Sequence, residues 1–281
     1  MQDYSKYHRN PVMFSGAEKK IEIMIGEHRY IVKFQKNSEI GLLYNHVSEY
    51  LGSHIFGSIG IPVQETFLGT CDGHNVVVMK NFLKDDEQLV AFNGVGESSL
   101  ERDKELYQYS YDDIIAMLNE NTKSTNVPQT IERFWDMFIV DAFIGNFDRH
   151  GGNWGFIKYN NQYRMAPVYD NGSSLFPRLN NDEMLEKILC SEDEINQRVY
   201  KFPTSHIKMN GRKSSYFEVI NSLQFEACNQ ALERIVPRIN FEKINAIIDE
   251  VEGISDLRKR FYRTMLLHRY DKILAHAYNR L

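Results

Sequence analysis

Three ionisable side chains stand side by side in the sequence, Asp148, Arg149 and His150, and Asn153 follows five residues after the aspartate. Transfer of a phosphoryl group from ATP needs a base for the attacking oxygen, oxygen ligands for Mg²⁺, a cation on the phosphates and backbone donors over them. In kinase catalytic loops an aspartate accepts the hydroxyl proton, and an asparagine five positions later binds Mg²⁺. The stretch therefore predicts a catalytic loop for phosphoryl transfer.

A second carboxylate that could bind a metal follows the Asp148–Asn153 stretch. Asp170 lies in "VYDNGSS" with Gly172 two residues later, which is close in form to the Asp-Phe-Gly element of kinases. Carboxylate and amide oxygens are hard ligands that suit Mg²⁺. Gly151 and Gly152 are expected to let the catalytic loop turn tightly around the site.

The N-terminal part supplies candidates for the cation and the phosphate cover. Lys33 ends an apolar triplet in "YIVKF", like the strand lysine that contacts phosphates in kinases. The turn "FSGAEKK" precedes that hairpin, and the backbone N–H groups of Ser15, Gly16 and Ala17 could cover the phosphates. If Lys33 is a solvated strand residue, its truncation should cost under about 0.5 kcal/mol of stability.

Residues 12–83 have the pattern of a hairpin, a helix and a second hairpin. Residues 21–34 alternate in polarity around a Gly-Glu turn, which predicts two strands. Residues 38–60 carry apolar side chains at helical spacing, and Ser38 is the expected N-cap. Residues 63–70 and 75–82 predict two further strands, joined by the turn "CDGH".

The rest of the chain is predicted to be mostly helical. Residues 129–147 form an apolar helix, capped by Thr130, which is expected to be buried and to lead directly into Asp148. Residues 154–165 predict a hairpin that turns at Asn160 and Asn161, and several amphipathic helices follow residue 183. The stretch 84–128 is polar and weakly patterned, and we interpret it as a linker with a helix near 111–120.

Composition limits the class of protein. The 281 residues carry a net charge of −5, with 42% hydrophobic and 25% charged residues, which is typical of a globular protein and gives no reason to expect direct nucleic-acid binding. Three separated cysteines form no metal-binding pattern or disulfide framework. No signal peptide or run of about 18 apolar residues is present. A cytoplasmic protein with no membrane contact is expected, and secretion without a signal peptide stays open.

Each candidate residue also has a purely structural interpretation. The Asp-x4-Asn spacing is common by chance, Asp170 could cap a turn, and Lys33 could be solvated. Trp135 and Trp154 are expected in the core, and "KSSYFEV" and "LRKRFYR" are interpreted as solvated helix faces. The functional interpretation is favoured because the pieces occur in the order glycine turn, strand lysine, helix, hairpin, Asp-x4-Asn, hairpin and Asp-x-Gly.

The stretches "DAFIGNFDRHGGNWGF" and "APVYDNGSS" resemble the signature of HipA-type serine/threonine kinases, which share the Asp-Arg-His order with phosphatidylinositol kinases. "SEYLGSHIFGSIGIPVQETFLGT" and "RVYKFPTS" resemble the shorter CtkA-type branch in particular. The resemblance runs from about residue 12 to the end of the chain. It implies ATP and Mg²⁺ as cofactors.

The resemblance also implies roles for residues around the catalytic loop. Asp148 would be the catalytic aspartate, and Asn153 and Asp170 would bind Mg²⁺. Lys33 would contact the α- and β-phosphates, and His150 would reach toward the phosphates of the nucleotide. These roles are carried over only to positions where this sequence matches the motif.

Roles in the N-terminal part are implied with one departure from the family pattern. The backbones of Lys80 and Phe82 would hold the adenine, and Glu49 would pair with Lys33. HipA-type loops often show Gly-x-Gln-x-Lys, whereas this sequence has Glu18 in place of the glutamine. Ser15 is a candidate for autophosphorylation, although its register differs from that of the HipA loop serine.

We therefore predict an α+β, two-lobed protein-kinase-like fold of the HipA and phosphatidylinositol-kinase variety. The strand-rich N-lobe would span residues 1–83 and the helical C-lobe residues 84–281, with ATP and Mg²⁺ between them. The expected reaction is transfer to Ser or Thr of a protein, with an antitoxin or a host protein as a further partner. The alternatives are a small-molecule or lipid kinase, and a pseudokinase that binds nucleotide as an interaction module.

Overall fold

A computed structural model describes residues 1–11, 19–95, 109–110, 112, 114–115, 126–160 and 162–281. The described strands are β1 (Gln2–Asp3), β2 (Arg9–Asn10), β3 (Lys20–Ile25), β4 (His28–Phe34), β5 (Asn37–Ser38), β6 (Gly41–Leu42), β7 (Thr66–Cys71), β8 (His74–Lys80), β9 (Gln88–Ala91), β10 (Tyr109–Ser110), β11 (Gly155–Tyr159), β12 (Gln162–Met165), β13 (Thr204–Met209) and β14 (Arg212–Ser215).

The described helices lie mainly in the C-terminal two thirds of the chain. They are α1 (Asn45–Ser58), α2 (Phe92–Val95), α3 (Val127–Ile144), α4 (Asp182–Leu189), α5 (Glu192–Asn196), α6 (Tyr216–Asn221), α7 (Glu226–Ile235), α8 (Phe241–Asp249), α9 (Asp256–Arg269) and α10 (His276–Tyr278). π-Helical turns occur at Gln197–Lys201 and Tyr270–Ala275, and a 3₁₀ turn occurs at Val236–Arg238. None of the helices in the described ranges is long and apolar enough to cross a membrane.

A six-stranded sheet forms the N-terminal part, in the order β1-β7-β8-β4-β3-β2. Both predicted hairpins are confirmed, since β3 pairs with β4 and β7 pairs with β8, each antiparallel. The alternation of polarity sends Ile23, Val32 and Val78 into a small core cluster on one face of the sheet. The register places Lys33 opposite both Lys20 and Val77, so β4 is a central strand.

The predicted first helix is confirmed, but its start is later than expected. Ser38 does not cap it, because Ser38 belongs to β5, which pairs with β6 across a tight turn, and its hydroxyl donates to the Gly41 carbonyl at 3.0 Å. The helix begins at Asn45, whose side chain accepts a hydrogen bond from the Lys36 N–H at 2.9 Å. Helix α1 therefore docks against the end of β4, and its buried face includes Glu49.

The predicted apolar helix is confirmed as α3, and it is buried along most of its length. Its N-cap is Asn126 and not Thr130, since Asn126 Oδ1 accepts from the Gln129 N–H at 3.1 Å. Pro128 explains the difference, because proline is tolerated in the first turn of a helix but not further inside. Gly145 ends the helix in the left-handed region, with φ of 65°.

The stretch after β8 is not only a linker. Strand β9 pairs antiparallel with β11, and β11 pairs with β12 as predicted, so the three strands form one sheet. Asn160 has a positive φ at the turn of that hairpin, and Asn161 lies outside the described residues. The helix predicted near 111–120 also falls largely outside them, although residues 112, 114 and 115 are helical.

The C-terminal part contains the predicted helices and one hairpin that the sequence pattern did not predict, β13–β14. The interpretation of two segments as solvated helix faces is wrong. In "KSSYFEV" Tyr216 is buried, and in "LRKRFYR" Phe261 and Tyr262 are buried. Arg258 of the second segment is also buried, because its guanidinium stacks 3.5 Å from the centre of the Tyr44 ring. Trp135 lies in the main core as expected.

Candidate active site

The loop that follows α3 carries the Asp-Arg-His group, and Arg149 fixes its position. The guanidinium of Arg149 is buried and bonds the carboxylate of Asp141, from helix α3, at 2.8 and 3.1 Å. It also donates to the Asn153 carbonyl at 2.8 Å, to the Tyr169 carbonyl and to Asn171 Oδ1. Arg149 therefore ties both candidate metal-binding segments to the core helix.

Asn146 shapes the first turn of the same loop. Its side chain donates to Asp141 Oδ1 at 3.0 Å and accepts from the Asp148 N–H at 3.1 Å. Its carbonyl accepts from the buried Tyr216 hydroxyl at 2.8 Å, which links the loop to helix α6. The backbone of Asp148 is therefore held by bonds to buried groups, and its side chain is half-exposed.

Asp148, His150 and Asn153 lie together as predicted. Nε2 of His150 lies 3.8 Å from Asp148 Oδ1, and His150 Nδ1 accepts from the Gly152 N–H at 3.0 Å. Burial raises the pKa of the Asp148 carboxyl, His150 opposes the rise and the Asp170 carboxylate adds to it. A raised pKa suits a group that must accept a proton.

Asn153 lies where its amide can serve two partners. Its Nδ2 group donates to the Asp148 carbonyl at 2.8 Å, so the amide carbonyl oxygen points away from that bond. The geometry explains the five-residue spacing, because the loop between the two residues closes through this hydrogen bond. The amide oxygen is the atom that a metal would contact.

Lys33, Glu49 and Asp170 form a buried ionic cluster. The Lys33 ammonium lies 2.8 Å from Asp170 Oδ1 and 3.5 Å from Glu49 Oε2. Burial lowers the pKa of Lys33, but the two carboxylates outweigh it, so the net pKa is raised and the lysine stays protonated. Burial raises the pKa of Asp170, but Lys33 and Arg149 outweigh it, so that the net pKa is lowered and the carboxylate stays charged.

Glu49 is fully buried and holds the loop that follows Asp170 as well as Lys33. Its Oε1 accepts from the Asn171 N–H at 2.7 Å. Complete burial raises the pKa of Glu49, and Lys33 and the Asn171 N–H offset only part of that rise. Gly172 follows directly, and a Cβ there would lie 3.2 Å from Glu49 Oε2, so a larger residue would crowd the pair.

One expectation about Lys33 needs correction, and one about the neighbouring glycines is confirmed. Lys33 is not solvated, since its exposed fraction is 4%, so its truncation would leave Glu49 and Asp170 without their cation and cost more than a surface lysine does. Gly151 and Gly152 form a tight turn as expected, since the Asn153 N–H donates to the His150 carbonyl at 2.9 Å, and neither glycine has a positive φ. Close approach also restricts Gly151, because a Cβ there would clash with Asn93 Oδ1.

Asp170 itself has an unusual backbone. Its φ of 56° lies in the left-handed region, which costs free energy for a residue other than glycine. Strain of this kind persists where the surrounding structure fixes the residue, and here Lys33 bonds the Asp170 side chain at 2.8 Å. The left-handed conformation therefore presents the Asp170 carboxylate to the lysine.

The predicted hinge segment follows β8. The Lys80 N–H donates to the Glu65 carbonyl at 2.9 Å, and the Lys80 carbonyl accepts from Gln64 Nε2 at 3.0 Å. The Lys80 N–H is therefore already used, and only its carbonyl has a lone pair left for a ligand. Phe82 is half-buried, and its ring centre lies 6.1 Å from that of Tyr169, beside Asp170.

The predicted glycine turn with Ser15, Gly16 and Ala17 lies outside the described residues. The chain resumes at Lys19, and Lys20 begins β3 directly opposite Lys33. Lys20 also lowers the pKa of Asp170 through its charge. The sequence pattern assigned no role to Lys20 or Arg149, although the predicted glycine turn next to Lys20 was a signal for the first, and the Asp-Arg-His group contains the second.

The residues present fit a magnesium ion better than a transition metal. No group of three or more His, Cys, Asp or Glu side chains in the described parts of the chain is arranged to hold a metal. The candidate donors are the Asp170 carboxylate and the Asn153 amide oxygen. Mg²⁺ usually keeps several waters and binds through one or two carboxylates and the phosphates of the substrate, which matches this small oxygen set.

Comparisons with known proteins show the family of the chain. The family model described as HipA-like C-terminal domain matches residues 12–257. The serine/threonine-protein kinase CtkA of Helicobacter pylori is 37% identical over 276 residues, which cover 95% of this chain and 84% of that protein. The chain therefore belongs to the HipA-like kinase family.

Solved structures show the same relationship. The crystal structure of the Helicobacter pylori proinflammatory kinase CtkA matches with a TM-score of 0.91 at 35% identity, over 99% of this chain and 96% of that one. HipA of Shewanella oneidensis, solved with HipB and operator DNA, matches with a TM-score of 0.62 at 14% identity, over 95% and 67% of the two chains. The second likeness shows a shared mixed α/β fold.

Proposed function

We propose that the protein transfers the γ-phosphoryl group of ATP to Ser or Thr hydroxyls of a protein, in a reaction that depends on Mg²⁺. One observation carries the proposal: Arg149 bonds the Asn153 and Tyr169 carbonyls together, so the catalytic loop and the Asp170 loop are held as one unit. The name of the Helicobacter pylori relative, a serine/threonine-protein kinase, supports the choice of acceptor.

The proposed roles rest on the family resemblance, and the geometry supports them. Asp148 accepts the proton of the attacking hydroxyl, and its half-exposed side chain leaves room for an acceptor. Asn153 and Asp170 would hold Mg²⁺, which would neutralise part of the phosphate charge. Lys33 binds the phosphates, and its present contact with Asp170 at 2.8 Å would be exchanged for contacts with phosphate and metal.

Further parts of the proposal concern the nucleotide. We place ATP between an N-lobe that ends near residue 83 and a helical C-lobe, with adenine at the Lys80 carbonyl and Phe82. The glycine turn with Ser15, Gly16 and Ala17 would cover the phosphates. His150 points its Nε2 toward Asp148 at 3.8 Å, so it would act beside the transferred group.

The decisive experiment is Asp148→Asn, which keeps the shape of the side chain and removes its charge and its proton acceptor. We expect a folded protein that binds Mg·ATP in calorimetry and loses nearly all transfer from labelled ATP to protein acceptors. Asp193→Asn, at an exposed aspartate in α5, is the matched control and should retain full transfer. Turnover above about a tenth of wild type would refute the role of Asp148, since that loss is only about 1.4 kcal/mol of barrier.

The same assay separates the alternatives. A small-molecule or lipid kinase would consume ATP with those acceptors and label no protein, and a pseudokinase would bind nucleotide without any transfer. Autophosphorylation is part of the proposal, and phosphosite mapping after incubation with Mg·ATP tests it. A phosphate on Ser15 would add about −1.5 to −2 charges beside the ATP phosphates and should weaken nucleotide binding.

A further inference from the structure

An open pocket of about 230 Å³ lies directly beside the catalytic loop, outside the residues assigned to nucleotide and metal. Its apolar lining includes Phe147, Phe176 and Phe202. Phe147 immediately precedes Asp148, so whatever occupies the pocket is held next to the proposed base. The volume is below the range of about 300–1,000 Å³ that is usual for sites of whole small molecules, and it fits one large side chain better.

Three aromatic rings form the pocket wall. The Phe202 ring centre lies 5.8 Å from that of Phe147 and 6.3 Å from that of Phe176. Phe202 is 48% exposed, whereas Phe176 is buried against Phe261. A large ring left in solvent beside a pocket is typical of a surface that a partner covers.

The backbone at Phe176, which lines the pocket, and at its neighbour Leu175 is strained and firmly anchored. Leu175 and Phe176 have φ values of 55° and 58°, which bulky residues adopt only when the surroundings fix them. The Leu175 N–H donates to the Ile144 carbonyl at 2.9 Å, at the end of helix α3. Strain of this kind is concentrated at functional sites, and α3 also leads into the catalytic loop.

The rim of the pocket is cationic, although the chain as a whole has a net charge of −5. Arg178, Arg198 and Lys201 line it, and none of the described lining residues is acidic. The Arg198 guanidinium is neutralised by Glu194 at 2.6 Å. Arg178 and Lys201 are exposed and form no ion pair with any described residue. The rim therefore complements a negatively charged segment.

We propose that this pocket binds an aromatic or large aliphatic side chain of the protein substrate, with acidic residues of the same segment facing Arg178 and Lys201. The occupant is a peptide segment beside the acceptor Ser or Thr, and in that respect the inference rests on the proposed function. The pocket would select the substrate by one apolar anchor and its charged neighbours.

Affinity selection tests the proposal by binding and not by turnover. Bead-bound peptides with a central Ser or Thr and random flanks are offered to the full chain carrying Asp148→Asn, with Mg·ATP present. We expect enrichment of peptides that combine one aromatic or large aliphatic residue with Asp or Glu. Phe202→Ser, added to that protein, should lower the affinity for the enriched peptides by about tenfold or more.

Charge variants and matched controls complete the design. Arg178→Glu with Lys201→Glu should remove the preference for Asp and Glu while the apolar preference remains. Leu267→Ser, at a leucine that is 47% exposed on α9, and Arg260→Glu, at an exposed arginine of the same helix, should leave the selection unchanged. Calorimetry with Mg·ATP and circular dichroism verify that each variant is folded.

The outcomes distinguish the two proposals. No enrichment, enrichment without an apolar and acidic pattern, or a pattern that survives both sets of pocket variants overturns the pocket assignment, even if the wild type phosphorylates proteins. Enriched peptides that depend on Phe202 but accept no phosphate from the wild type leave the pocket assigned and overturn the proposed function.

Discussion

The buried guanidinium of Arg149 should be the main element that holds the active-site loops, and Arg149→Met tests this. The arginine is buried and bonds Asp141, which is also buried, at 2.8 and 3.1 Å. Methionine keeps most of the volume but leaves the Asp141 carboxylate without its cation. Breaking a buried pair from one side costs about 3–5 kcal/mol, and we expect a loss of that size.

A second variant separates the ion pair from packing. Asp141→Asn in the Arg149→Met background removes the uncompensated charge, and its amide oxygen can still accept from Asn146, which now bonds Asp141 Oδ1 at 3.0 Å. The double variant should therefore regain about 2 kcal/mol relative to Arg149→Met, because relieving an unpaired buried charge is favourable.

Urea unfolding followed by circular dichroism measures these differences through the midpoint at constant slope. Labelled-ATP transfer should stay low in both variants, since neither restores the bonds from Arg149 to the Asn153 and Tyr169 carbonyls. A loss below about 1 kcal/mol for Arg149→Met, or a double variant no more stable than the single, would refute the reasoning, because either result means that no charge was left uncompensated.

The remaining predictions concern packing, metal and pH. Gly52→Ala should destabilise by about 1–3 kcal/mol because its Cβ would lie 2.7 Å from a side-chain atom, whereas the control Gly57→Ala, with open contacts at 3.6 Å on the same helix, should be neutral or stabilise in urea unfolding. Asn153→Ala and Asp170→Ala should each weaken ATP binding in Mg²⁺ but not in EDTA, and calorimetry with equal affinities in both buffers would contradict the metal site. Because the folded pKa of Asp148 is raised, its ionised form destabilises the protein above the ordinary carboxyl pKa; Asp148→Asn should gain thermal stability over wild type as pH rises from 4 to 7, and an unchanged difference would oppose this.

Local patterns in the sequence were enough to predict the strands around Lys33 and the helix before Asp148. The alternation in residues 21–34 has period two, which predicts the two strands, and the turn between them sets the observed register, in which Ile25 lies opposite His28. Helix α3 was predictable because its apolar residues extend around the whole helix. Each candidate site residue lies at the end of an element that the sequence predicts. The elements that carry the site residues could therefore be predicted in their order along the chain.

The predicted N-caps of helices α1 and α3 are wrong because several residues near each helix start favour different local structures. Ser38 and Thr130 are both good capping residues, but Ser38 is taken into a two-strand turn, and Thr130 lies within a helix that already has Asn126 as its cap. The deciding groups were Gly41 and Pro128, which restrict the backbone more strongly than a hydroxyl does. A cap prediction that weighs neighbouring glycine and proline would have placed the second helix correctly.

The burial of Lys33 and Arg149 could not be predicted, because it depends on partners far away in the sequence. Lys33 meets Glu49 and Asp170, and Arg149 meets Asp141 and the loop around Tyr169. Strand alternation cannot distinguish a lysine that faces solvent from one that faces a carboxylate on another element, since both are polar positions. The same limit hid the pairing of β9 with β11.

The charge of the assembled site explains why these buried cations matter for function. Four cations, Lys20, Lys33, Arg149 and Lys213, act on four carboxylates, Glu49, Asp141, Asp148 and Asp170. The formal charges balance when all of these groups are ionised, and Lys33 and Arg149 are the two cations that are buried. Lys33 and Arg149 reduce the repulsion among the carboxylates so that the loops can pack, and burial, together with the Asp170 carboxylate, raises the pKa of Asp148. The pairing of Arg149 with the buried Asp141 leaves the Asp170 carboxylate to Lys33, so two separate ion pairs lie side by side and hold the two loops.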